Sequence, residues 1–129
     1  MDSKQQLYSA LGQVAYAMAM ADGEAQREEK DKFHKVIKEA VKKHDIDYDI
    51  ADVIFQILDR DHMDVETTYA WAINQFKLGS NRLTDELKET MVKILVDVAK
   101  AYAPVEVEEM NLLERFEKDL DEIQDNLTY

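Results

Sequence analysis

Cysteine is absent from this chain of 129 residues, which also has a single proline and only three glycines. Without cysteine there are no disulfides, thiolate zinc sites, cysteine nucleophiles or iron–sulfur clusters. The shortage of glycine and proline leaves little material for the turns of a sandwich or barrel. Positive charge is scarce as well: 16 lysines and arginines stand against 28 acids, a formal charge of −12. Such a field repels phosphate backbones and argues against nucleic acid as a partner. The longest apolar run, Val14 to Ala21, falls well short of the ~20 residues that cross a bilayer. Met1-Asp2-Ser3-Lys4 does not begin a basic-then-apolar leader. A soluble, cytoplasmic protein is the expectation. With 46% apolar and 34% charged residues and no period-two alternation, the expected architecture is one all-α domain over residues 1–129.

Helical spacing appears repeatedly along the chain. Leu7, Leu11, Val14 and Met18 share one face of a first helix with Ser3 as its N-cap. The second half of that helix is apolar on every side, which predicts a helix running through the centre of the molecule and stopped by Asp22-Gly23. A second helix, about residues 27–43, buries Phe33, Val36, Ile37, Ala40 and Val41 and turns lysines outward between Lys30 and Lys43. The acid-rich stretch that follows carries a helix at about 48–59 built on Ile50, Val53, Ile54, Ile57 and Leu58. Asp64 caps the next helix, about 64–78, which ends at Gly79 and is followed by a Ser80-Asn81 linker. Thr84 opens a helix with Leu87, Met91, Ile94, Val98 and Ala101 on one face, and Pro104 ends it at Tyr102-Ala103. The last helix carries Leu113, Phe116, Leu120, Ile123 and Leu127. The sum is a bundle of five to seven helices.

A shift of 80 residues lays the first two helices over the last two. Leu7, Ala19, Ala21, Glu28, Glu29 and Lys38 meet identical residues at Leu87, Ala99, Ala101, Glu108, Glu109 and Lys118, and Val14 and Phe33 meet Ile94 and Leu113. Two hairpins, about residues 4–43 and 84–127, are therefore expected to be related by an approximate twofold and joined by the two middle helices.

The stretch Tyr16-Ala-Met-Ala-Met-Ala-Asp-Gly-Glu-Ala-Gln-Arg-Glu-Glu29 resembles the signature of the TerB-like tellurite-resistance family, in which an apolar helix ends in Ala-Asp-Gly and a Glu follows about seven residues later. The second hairpin departs from that pattern, with Ala101-Tyr-Ala-Pro104 where a second Ala-Asp-Gly often stands. The resemblance implies an all-helical fold with a repeated hairpin and a non-enzymatic acidic domain linked to stress response and membrane-associated complexes. It also implies that the acids of the corner bind a divalent cation in some members.

The residues themselves allow two readings of that corner. Asp22, Glu24, Glu28 and Glu29 lie across a helix–corner–helix junction, where oxygen ligands from two segments can converge on Ca²⁺ or Mg²⁺. Asp22 and Glu29 are the expected metal ligands, with Glu28 and, on the last helix, Glu106 and Glu109 as support; Glu106 and Glu109 also stand in the relation that a cap and its third helical residue have. The competing reading is structural: with Gln26 as N-cap, Glu29 returns to the cap amide and Glu28 complements the helix dipole, so the acids only cap helices in an adaptor domain. An EF-hand is excluded, since its first and third loop positions fall on Met18 and Met20. Asp31-x-x-His34 and Asp59-x-x-His62 lack the further inward glutamates of a di-iron bundle. With no phosphate loop, nucleophile elbow or triad pattern, the expectation is a protein that is not an enzyme. The expected partners are proteins. The Lys30–Lys43 face is read mainly as solvated, with anionic membrane contact as its lesser use. Trp71 lies off the inward stripe and marks a partner-facing groove.

Overall fold

The computed structural model describes residues 3–20, 35, 38–39, 48–100 and 107–124. Every regular element among them is helical: α1 (Ser3–Ala19), α2 (Tyr48–Arg60), α3 (Val65–Leu78), a 3₁₀ turn (Ser80–Arg82), α4 (Asp85–Lys100) and α5 (Val107–Gln124). None of the described helices is long and apolar enough to cross a membrane.

The central helix expected from the sequence is α1. All of its residues from Leu7 to Met18 are buried, so no face in that stretch is left to solvent. Ser3 is the first helical residue, not the cap before it. Among the described residues, α2 and α3 lie along this axis, and α5 touches it as well as α3 and α4. The α1–α2 approach is very close at Gly12, where a Cβ atom would sit 2.5 Å from the Ala51 carbonyl oxygen. Four residues further on, the Tyr16 and Phe55 rings meet edge to face at 6.0 Å, so the two helices run in the same direction. The start of α3 is tied to the same part of α1 by the Tyr16 hydroxyl, which donates to the Met63 carbonyl at 2.9 Å. Because α1 also touches the 3₁₀ turn beyond the far end of α3, α1 and α3 lie antiparallel.

The corner between α2 and α3 is built from backbone geometry. The Met63 amide donates to the Leu58 carbonyl at 3.2 Å and the His62 amide to the Asp59 carbonyl at 3.3 Å, the paired bonds of a Schellman motif. That motif needs a left-handed residue, and His62, with φ of 51°, supplies it where glycine is the usual occupant. Replacing the exposed His62 with glycine should therefore stabilise the fold by roughly 0.5–1 kcal/mol, visible as a melting temperature raised by a few degrees. An unchanged or lower melting temperature would refute this account of the corner. Asp64 then starts α3 as expected, its Oδ2 accepting from both the amide and the hydroxyl of Thr67 at 3.0 Å. These two bonds hold the Asp64 carboxyl below its ordinary range.

Thr84 likewise opens α4, its hydroxyl accepting from the Leu87 amide at 3.1 Å. Gly79 closes α3, but with φ of −93°, so the stop does not use a left-handed conformation. The Ser80-Asn81 linker belongs to the 3₁₀ turn. On α5, Leu113, Phe116, Leu120 and Ile123 are buried as their spacing requires, and Phe116 meets Phe76 at 5.4 Å between ring centroids.

Two stripes differ from the pattern read in the sequence. On α2 the buried residues are Ala51, Phe55 and Leu58, whereas Val53 and Ile57 are 51% and 38% exposed. Close contact with Gly12 selects the small Ala51 side of the helix, which turns Val53 and Ile57 outward. On α4, Met91, Ile94, Leu95 and Ala99 are buried, Leu87 only partly so, and Lys88 takes the inward position one turn before Met91. Of the residues paired by the 80-residue shift, Leu11 and Met91, Val14 and Ile94, and Ala15 and Leu95 are buried, whereas Leu7 is buried and its counterpart Leu87 only partly so. Of the helix expected at 27–43, only Lys35, Lys38 and Glu39 are described; all three are helical and exposed. Its apolar stripe, the Asp22-Gly23 stop and the Tyr102-Ala103 stop lie outside the described residues.

Candidate functional site

The proposed cation ligands Asp22, Glu28, Glu29 and Glu106 lie outside the described residues. Glu109 falls within α5, and its side chain lies outside them too. Among the described residues no group of three or more histidines and carboxylates is placed to hold a metal ion. His62 stands exposed at the α2–α3 corner, which gives Asp59-x-x-His62 no inward-facing role.

Two polar constellations lie among the described residues. The first fastens α5 to α3. The buried Tyr69 donates its hydroxyl to Asp119 Oδ2 at 2.6 Å, and the Arg115 guanidinium lies over the Tyr69 ring, 4.2 Å from its centroid. Arg115 also reaches both Glu66 carboxylate oxygens from one nitrogen, at 3.0 and 3.2 Å. Burial pushes the Tyr69 hydroxyl far above its ordinary range, and the Asp119 hydrogen bond and charge push it further. The phenol therefore stays protonated at neutral pH. It acts as a donor holding two helices together and has no capacity as a general base. Arg115 and Glu66 are both well exposed, so their ion pair adds little by itself, and its function is to seat Arg115 on the ring. A shallow pocket of about 240 Å³ lies alongside, lined by Val65, Glu66, Glu108, Asn111, Leu112 and Arg115.

The second is an open groove of about 520 Å³ between α4 and α5. Asp85 and Glu89 on α4 and Glu117 and Asp121 on α5 are exposed along it, one helical turn apart in each pair. Val92 and Leu120 supply apolar lining, Lys93 is exposed, and Lys88 is only 6% exposed. Helical periodicity explains the arrangement: Met91 and Leu95 turn into the core while Asp85, Glu89 and Lys93 take the flank. Among the described residues the groove carries four carboxylates against two lysines and an apolar lining, suited to a basic segment with some apolar side chains.

Helical spacing places Tyr69 on the inward stripe of α3 with Ala72, Ile73 and Phe76, but gives no role to Lys88, Arg115 or Asp119. The Tyr69–Asp119 bond joins residues 50 apart and left no trace in local periodicity. Trp71 is 51% exposed, as its offset from the inward stripe suggests, and Leu78, two turns on, is 61% exposed.

In comparisons with known protein families, curated proteins and solved structures, the chain matches none.

Proposed function

We propose that this chain is a non-enzymatic, acidic helical interaction domain resembling TerB, serving a stress-response system of the tellurite-resistance kind. In this reading Asp22 and Glu29, supported by Glu28, Glu106 and Glu109, bind Ca²⁺ or Mg²⁺, and the α4–α5 groove receives a basic segment of a protein partner. The observation that carries the proposal is the position of α1. α1, whose sequence leads into Ala-Asp-Gly, is buried from Leu7 to Met18 at the centre of the described helices, so an event just beyond it would bear on the helices packed around it. The net charge of −12 supports a cationic partner on the same electrostatic grounds that disfavour nucleic acid.

A second reading keeps the interaction domain and removes the ion: the corner acids only cap helices. The behaviour of Asp64, whose Oδ2 accepts the Thr67 amide and hydroxyl at the start of α3, favours it. Calorimetric titration with Ca²⁺ and with Mg²⁺ separates the two. A specific site gives saturable binding that persists at about 0.15 M salt and is lost in Asp22→Ala. Heat that fades with added salt, or that is the same in Asp22→Ala, leaves the capping reading in place and ends the ion site.

A further inference from the structure

We draw no further inference here: the strongest candidate, the exposed apolar face of α3 formed by Trp71 and Leu78, has nothing in the structure that shows what covers it.

Discussion

Replacing Phe116 with alanine is expected to cost about 3–5 kcal/mol, the usual range for emptying a fully buried phenylalanine site. Phe116 has no exposed surface and packs its ring on Phe76, which is equally buried, so truncation leaves a void between α3 and α5 that two packed helices cannot close. The same helix pair is held by the Tyr69–Asp119 hydrogen bond, which fixes the spacing and limits collapse into the void. Against a total stability on the order of 5–15 kcal/mol, the loss is a large share. Urea unfolding should show a lower midpoint with an unchanged slope. Phe116→Leu, which retains most of the volume, should lose much less. A loss under about 1 kcal/mol for Phe116→Ala would mean that this contact is not part of the core.

Gly12→Ala is expected to destabilise by about 1–3 kcal/mol, opposite in sign to what helix propensity predicts. Within an isolated helix, alanine is better than glycine by about 1 kcal/mol. Here the added methyl group would stand 2.5 Å from the Ala51 carbonyl oxygen and 3.1 Å from the Ala51 carbonyl carbon, both backbone atoms with no rotamer by which to move aside. Relief requires α2 to shift away from α1, which also disturbs the edge-to-face contact of Tyr16 with Phe55 four residues along. Thermal melts and urea titrations of the variant test the sign. A melting temperature equal to or above that of the parent chain would show that the helices do not approach as closely as described.

Helix existence was legible in the sequence because most of it is decided locally. The segments about 48–59 and 64–78 coincide with α2 and α3 to within a residue or so, and Asp64 and Thr84 make the cap bonds their positions called for. Apolar spacing also located α5 and its inward residues. What periodicity did not decide is which flank of an apolar stripe is covered, since that depends on the neighbouring helix. Ala51 contributes little to any hydrophobic pattern, yet its small side lets α2 approach Gly12, and the larger Val53 and Ile57 are left facing outward. Gly12 within a helix looks like a weak point until its neighbour is known. Lys88 shows the same limit, being a charged residue that tertiary packing draws inward at a position where Leu87 was expected to lead. The groove between α4 and α5 is likewise a product of packing, because its two acid pairs lie about 30 residues apart in sequence.

The central claim is that this domain works by holding a basic protein segment on its acidic surface, and charge reversal in the groove tests it most directly. The protein and its Glu89→Lys/Glu117→Lys variant should be used to capture partners from the organism that encodes the chain. Glu114→Lys/Glu122→Lys serves as a control with the same change of charge on exposed α5 positions outside the groove. The account predicts one partner recovered by the parent and the control and lost from the groove variant, with a lysine- or arginine-rich contact segment identified by cross-linking. Equal recovery by all three proteins, or no partner with any of them, would contradict it.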